Sequence, residues 1–402
     1  MLPVAEARTR ILCALAPVGA ETVALAAAHG RTLAGDLVAK LTQPAFAVSA
    51  MDGYAVRAAD IAKAPAILRQ IGTAPAGHPF KGSVAAGECV RIFTGAVVPD
   101  GADTILIQEN ATAEGLRILA KQSEPKGRFV RPAGLDFARG QTLLAAGTVL
   151  HARQIGLAAA ANHAWLEVRR RPRVAILSTG DEILLPGSSP LPGQIVSSNG
   201  AALAAFVQTA GGEAIQLPIA PDNAQALQAI AAGARGADLL VTSGGASVGE
   251  HDLVRTALGQ TGLALDFWQI AMRPGKPLMF GRHGDVPLLG LPGNPVSSLV
   301  CAVLFLGPAI ATLLGHADAG PPTRMARLGC DLGGNDARED YLRSKLAYDA
   351  NGNLVVTPFA RQDSSMVHLL AQADALAIRA PLAPAAKAGD TIQIVPLAPF
   401  CG

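Results

Sequence analysis

The sequence predicts a multidomain protein of the α/β and β classes. It has a central three-layer α/β/α domain with a largely parallel sheet, an inserted β-rich domain, a helical N-terminal region and a C-terminal β-barrel-like domain. Three observations carry this. From about 172 to 314, apolar runs of strand length alternate with helical patterns, which implies a parallel sheet covered on both faces. From 43 to 135, short apolar runs are separated by Gly72, Pro75, Gly77, Pro79, Gly82, Gly87, Pro99 and Gly101, the punctuation of a small β domain. After about 320 strand patterns return, with turns such as Asn351-Gly352, which fits a small barrel or sandwich.

Each element follows in order. Val4, Ala7, Ile11 and Leu12 recur at helical spacing, so residues 1–42 read as helix-rich up to the break at Pro44. Val90–Phe93 and Thr104–Ile107 are strands of the β-rich segment. His151 to Val168 is again alanine-rich and helical; packed with the N-terminal helix, it makes one unit of 1–42 and 136–170 and turns 43–135 into an insertion. In the central domain, 171–318, strands are expected at Val174–Leu177, Ala214–Ile219, Asp238–Val241, Phe267–Ile270, Leu278–Phe280 and Pro287–Leu291. Helices are expected over Asn199–Ala210, Asn223–Ala232 and Asp252–Leu258, with a long one from Pro295. The last domain, 319–402, has strands at Tyr341–Leu346, Leu354–Thr357, Ala375–Ile378 and Thr391–Val395.

Composition excludes several roles. A formal net charge of +2 and 4% aromatic residues offer neither a polyanion surface nor a stacking platform for nucleic acid. The basic run Arg169-Arg170-Arg171-Pro172-Arg173 reads as a solvated linker. The 5 cysteines are scattered and odd in number, which fits a reducing, cytoplasmic setting. Met1-Leu2-Pro3-Val4-Ala5-Glu6-Ala7-Arg8 lacks a basic start followed by an apolar core, so no secretory signal is expected. Val296–Leu314 is apolar enough to span a membrane, but Gly307-Pro308 interrupts it and Ser297-Ser298 open it, so a buried core helix is expected.

Chemistry concentrates at the ends of the predicted central strands, where such sheets bind ligands. Thr242-Ser243-Gly244-Gly245-Ala246-Ser247 ends a buried strand in a turn with little side-chain bulk, and Glu250 and Asp252 follow. Backbone N–H groups there can cradle a phosphate, and the acids can hold a hard cation such as Mg²⁺ against it. Ser178-Thr179-Gly180-Asp181-Glu182 repeats the arrangement; alone it would equally be a capped strand-to-helix turn. Leu291-Pro292-Gly293-Asn294-Pro295 joins a strand to a helix start, which points free N–H groups outward. Arg273-Pro274-Gly275-Lys276 sets two cations in a rigid frame, and Asp52-Gly53 places a carboxylate in an apolar stretch.

Together with Phe93-Thr94-Gly95-Ala96, Pro99-Asp100-Gly101-Ala102-Asp103, Arg131-Pro132-Ala133-Gly134-Leu135-Asp136 and Gln362-Asp363-Ser364, these motifs in this order resemble one family over nearly the whole chain. It is the molybdopterin molybdenumtransferases, the MoeA type related to the gephyrin E domain. The resemblance implies an elongated homodimer with its active site between the α/β domain of one subunit and the β-rich domain of the other. It implies insertion of molybdenum from molybdate into adenylated molybdopterin, with release of AMP and with Mg²⁺ as the metal. By position in the family pattern, Asp52, Thr94, Asp181 and Lys276 would be catalytic. Thr179, Gly180, Glu182, Ser243, Gly244, Gly245, Ser247, Arg273, Pro292, Gly293, Asn294, Ser297, Arg343 and Ser364 would bind the substrates. Asp181, Glu182, Glu250 and Asp252 would hold the metal. Partners implied are a second copy, the molybdopterin adenylyltransferase and molybdoenzyme clients.

The chain departs from the pattern in three places. Arg273 stands where lysine is frequent, Val196-Ser197-Ser198-Asn199 lacks a usual carboxylate, and Asp363 replaces a glycine. Two other readings stay open. One is a different enzyme on the shared α/β domain, such as a molybdopterin adenylyltransferase or a pyridine-nucleotide hydrolase. The other is a non-catalytic carrier or scaffold for molybdopterin or molybdate.

Overall fold

The structure, a computed structural model, describes residues 1–244, 257–260 and 262–397. The expected helix over Asp252–Leu258 lies largely outside them.

The central sheet has six strands in the order Glu213–Gln216, Arg173–Ser178, Leu239–Ser243, Val286–Leu291, Met279–His283 and Leu263–Phe267. The first four are parallel, and the last two run antiparallel to their neighbours. All five residues of Leu239–Ser243 are buried, as befits a strand covered on both faces. Val174 and Ile176 belong to one core, Ala175 and Leu177 to the other, following the two-residue alternation of a strand. The first core contains the helix Asn199–Thr209 and the long helix from Pro295; the second contains Ala224–Ala231.

The long helix, Pro295–Leu313, has a mean hydropathy of 2.2 and is 83% buried in this core. Its middle, Ala302–Leu306, widens into a π-helical turn just ahead of Pro308. Proline has no N–H to donate and its ring crowds the preceding turn, which the wider turn relieves.

Two expectations about the N-terminal region need correction. The helix there is confined to Val4–Cys13, and it packs on the α/β core through Val4, Ala7 and Ile11 rather than on the helix Ala152–Ala160. The fold-back is made by strands instead. Ala20–Ala24 pairs antiparallel with Trp165–Arg169, and Val168, Leu166, Leu33 and Ala158 form a separate small core. Pro17 and Gly19 end the helical pattern, and Thr22-Val23 favours strand. The expected strand Phe267–Ile270 is also displaced, to Leu263–Phe267, where Leu263, Leu265 and Phe267 face inward and Ala264 and Asp266 outward. The half-buried alternation, not the apolar run, marks this edge strand.

Within 43–135 lies a six-stranded sheet, in the order Thr104–Ile107, Gly53–Val56, Glu88–Ile92, Ala66–Ala74, Arg117–Ala120, Ala111–Glu114. A Cβ on Gly53 would stand 2.1 Å from the Leu106 carbonyl oxygen, so only glycine admits both neighbouring strands there.

The C-terminal region is a closed ring. Glu339–Tyr348, Leu354–Pro358, Arg324–Leu328, Thr391–Pro396 and Ala375–Arg379 pair in turn, and the last pairs back with the first. Met272–Arg273, from the central domain's sequence, adds to one end of Glu339–Tyr348 in parallel.

Candidate active site

Three parallel strands end side by side, with Ser178 opposite Ser243 and Ser243 opposite Leu291. The loops that leave them are interlocked. The Thr179 amide donates to the Ser243 carbonyl at 3.2 Å, and the Gly244 amide reaches the Leu291 carbonyl at 3.4 Å. A Cβ on Gly244, whose φ is +94°, would stand 2.7 Å from the Thr179 carbonyl oxygen; one on Gly293 would lie 3.4 Å from Gly244 Cα. Thus Thr179-Gly180, Ser243-Gly244 and Pro292-Gly293 converge at one sheet edge, and small residues are required because backbone meets backbone.

Asn199, the last residue of the Val196–Asn199 motif and the first of its helix, pins this edge. Its Nδ2 donates to Ser243 Oγ at 2.8 Å and to the Gly293 carbonyl at 2.7 Å. Asn294 Nδ2 in turn donates to Ser364 Oγ at 3.0 Å, and the Val296 amide to the Ser364 carbonyl at 3.1 Å. The barrel therefore reaches the helix start and uses one of the N–H groups expected to be free there. Ser297 is buried within the first turn.

Several buried polar atoms around this edge have no hydrogen-bond partner among the described residues: Thr179 Oγ1, Thr242 Oγ1 and Ser298 Oγ, with Arg343 Nη2 in the barrel. Buried polar groups are normally satisfied, so this clustering suits a polar ligand. Arg343 is 1% exposed. Its Nε donates to Gln362 Oε1 at 3.3 Å and its Nη1 to the Met366 carbonyl at 3.3 Å, while burial pulls its pKa below the ordinary arginine value. The neighbouring Asp363 is turned to its own loop, where its Oδ1 accepts from the Ser365 amide and hydroxyl at 2.8 and 2.6 Å. Those bonds hold it below the usual carboxylate range.

Asp181 and Glu182 are exposed beside the cradle. Asp181 Oδ1 accepts from the Asp222 amide at 2.9 Å, which brings a third carboxylate to this corner. The signal for Asp222 is long-range, because the two loops are joined by the bridge between Thr179 and Ala220 and by this bond, 41 residues apart in sequence. No group of three potential metal ligands occurs among the described residues. Gly245, Ser247, Glu250 and Asp252 lie outside them. The exposed pair still suits Mg²⁺, which takes one or two carboxylates together with substrate phosphates.

The two cations of the Arg273–Lys276 loop part company. The Arg273 guanidinium is paired with Asp340, with Asp336 at 3.2 Å and with Asn335 at 3.4 Å. The hydrogen bond to Asp340 raises its pKa above the ordinary value. The Lys276 side chain is half-buried and meets no hydrogen-bond or ion-pair partner among the described residues. Asp52 and Thr94 sit elsewhere. The Thr94 amide and hydroxyl both donate to Asp52 Oδ1, at 2.7 and 2.8 Å. These bonds, with a smaller contribution from Arg91, depress the Asp52 pKa. Among the described residues no hydrogen bond or ion pair joins 44–135 to 171–397.

Three family models match in sequence order: the MoeA N-terminal region (domain I and II) over 2–162, the probable molybdopterin binding domain over 175–312, and the MoeA C-terminal region (domain IV) over 325–397. A molybdopterin molybdenumtransferase of Nostoc sp. is 40% identical over 335 residues, covering 81% of this chain and 77% of the relative. The chain belongs to the molybdopterin molybdenumtransferase family. A second member, from Haemophilus influenzae, is 33% identical over 98% of both chains. A solved structure of the molybdopterin biosynthesis MoeA protein from Pyrococcus horikosii superposes with a TM-score of 0.85 at 30% identity over 100% of both chains.

Within this molybdenumtransferase the matched regions divide the candidate residues. The MoeA N-terminal region carries Asp52 and Thr94, the molybdopterin binding domain carries the cradle, Asp181 and Lys276, and the MoeA C-terminal region carries Arg343 and Ser364. Asn199 and Asp222 fall in the binding domain as well. Asp340, Arg273's buried partner, belongs to the C-terminal region and was not foreseen, because the pair depends on a strand crossing from one domain to the next.

Proposed function

We propose that this chain inserts molybdenum from molybdate into adenylated molybdopterin and releases AMP. The observation that carries the reading is the convergence of three small-residue strand ends with orphaned buried hydroxyls, backed by the barrel residues Arg343 and Ser364. A phosphoanhydride needs backbone N–H groups and small hydroxyls around its oxygens; the Thr179, Gly180 and Gly244 amides are bonded to neighbouring loops, so the N–H groups would come from Gly293 and Asn294 at the helix start, beside the cradle's hydroxyls. A tetrahedral dianion needs fixed cations, for which Lys276 and Arg343 are available. The printed names of the relatives point to the same chemistry.

Water cleaves the anhydride P–O bond, so no covalent nucleophile is required. Asp52 is a poor proton acceptor because its Oδ1 is spent on Thr94 and its pKa is depressed. Its ionised Oδ2 instead orients the attacking group or a bound cation. Asp181 and Glu182 would hold Mg²⁺, which when bound neutralises charge on the phosphate oxygens. The chain's own work is to bind the pterin pyrophosphate at the strand ends, to hold molybdate with Lys276, Arg343 and Ser364, and to exclude competing orientations.

The site is completed in a cytoplasmic homodimer. Phe46 (65%) and Met51 (39%) are exposed on the segment that leads into Asp52, and Leu185 (64%), Leu191 (68%) and Ile195 (56%) around Asp181. Exposed apolar groups bordering each half of the site suit burial against a second copy. The molybdopterin adenylyltransferase supplies the substrate, and molybdoenzymes receive the product.

The test supplies adenylated molybdopterin, Mg²⁺ and low molybdate, and follows AMP and active cofactor. Both should appear together. Binding of the pterin without AMP release would overturn the reading in favour of a carrier.

A further inference from the structure

Arg273 is built by the α/β domain's sequence but paired into the barrel. Met272 lies opposite Glu339 and Arg273 opposite Asp340 in a short parallel ladder, and the Glu339 amide donates to the Ala271 carbonyl at 2.9 Å. The guanidinium fork is engaged by Asp340, Asp336 and Asn335, all of them barrel residues. Asp340 is 4% exposed. Asn335 is itself fixed by three backbone carbonyls, of Arg338, Arg379 and Ala380. Arg338 also pairs with Asp336, at 2.8 Å, so the cluster sets two cations against two carboxylates and leaves no net positive charge at the Arg273 guanidinium to attract an anion.

The same loop behaves as one piece from Ile270 to Lys276. The Ile270 amide donates to the Lys276 carbonyl at 3.0 Å and closes it. A Cβ on Gly275 would stand 2.6 Å from Cys301 Sγ, so the loop's middle is pressed on the buried helix. Whatever fixes Arg273 therefore also fixes Lys276, whose ammonium has no partner among the described residues.

We infer that Arg273 is a positioning residue and not an anion ligand: it clamps the loop onto the barrel through Asp340 and Asp336, and Lys276 alone of the two cations takes the oxyanion. The substitution of arginine for lysine suits this role, because a planar fork can serve two carboxylates at once where an ammonium is a point charge. Asp340 needs the clamp as much as the loop does, since a buried carboxylate without its cation is costly. The role in molybdate capture rests on the function proposed above; the clamp itself does not.

The experiment measures the molybdate KM and the thermal unfolding midpoint for Arg273→Gln, Asp340→Asn, Lys276→Gln and the doubles Arg273→Gln/Lys276→Gln and Arg273→Gln/Asp340→Asn. Lys276→Gln should raise KM about tenfold or more, the loss of one charge-assisted contact, with little change in midpoint. Arg273→Gln and Asp340→Asn should each raise KM and lower the midpoint. Once Lys276 is gone, Arg273→Gln should change KM by less than about twofold, because it acts through Lys276. A direct ligand would instead multiply with Lys276, and Asp340→Asn would lower KM by freeing the guanidinium; either result overturns the inference. If no variant, nor the parent, turns molybdate over, the functional reading fails and the midpoints alone judge the clamp. The Arg273→Gln/Asp340→Asn double must then unfold no lower than the worse single, and additive losses would overturn it.

Discussion

The Asp52 turn and the strand-end cradle are both made of small residues and carboxylates, yet they are held in opposite ways. Among the described residues Asp52 is bonded only within 44–135, by Thr94 and through the Gln108 amide to its carbonyl. Around it, Arg91 lies between the rings of Tyr54 and Phe93, at 5.1 and 5.0 Å, and braces the Gly53 carbonyl. The cradle, by contrast, is knitted from three loops, the Asn199 helix and the barrel, and it buries hydroxyls that have no partner among the described residues. One is a finished, half-buried projection; the other is an unfinished strand-end edge. A carboxylate that needs nothing from its surroundings can be presented to another molecule, whereas unsatisfied buried hydroxyls call for a ligand to arrive.

That contrast can be broken experimentally. The largest effect is expected at the projection. Asp52→Ala should cut AMP release by at least about 100-fold, the scale of losing one preorganised charge. The unfolding midpoint should stay close to the parent's, because Asp52 supports no other domain. A matching loss of midpoint would mean that the turn is structural.

The cradle should respond in the other order, with binding and stability falling together. Gly244→Ala places a methyl 2.7 Å from the Thr179 carbonyl at a φ of +94°. It should cost about 1–3 kcal/mol of stability and abolish measurable pterin binding by calorimetry. Asn199→Ala is gentler. It leaves Ser243 Oγ and the Gly293 carbonyl without their shared donor, and should cost about 1–2 kcal/mol with a several-fold weaker pterin affinity. Unchanged affinity in that variant would remove Asn199 from the site.

The smallest effect separates the barrel from both. Bonds from Arg338 hold the Asp336 carboxyl down at about 2, against about 3.9 in an unfolded chain. A depressed carboxylate stabilises fully above its unfolded pKa, and this contribution is lost as pH falls from about 4 towards about 2. The midpoint gap between the parent and Asp336→Asn should therefore be constant near neutrality and close below about pH 4. A gap that widens on acidification would contradict it.

The cradle was legible in the sequence because its chemistry is local: strand, small residues, acid. Thr179-Gly180 and Ser243-Gly244 announce themselves within five positions. Asn199 did not, since its bonds run 44 and 94 residues along the chain. Arg273 was legible as a cation but not in its partners, which come from a strand 67 residues later. The N-terminal region misled because its alanines and leucines favour helix, and the long-range pairing with Trp165–Arg169 overrides that preference. Family resemblance located Asp52, whose local pattern alone reads as a turn.

The central claim is that projection and cradle make one site across two copies of the chain. Its most direct measurement mixes Asp52→Ala with Asp181→Ala, each inactive alone, under conditions of subunit exchange, and follows AMP release. If each site takes Asp52 from one copy and Asp181 from the other, a mixed dimer holds one intact site, and random pairing should restore about a quarter of the parent's activity, by simple mass action. No recovery, with mixed dimers verified, would place both residues of each site in a single copy and contradict the account.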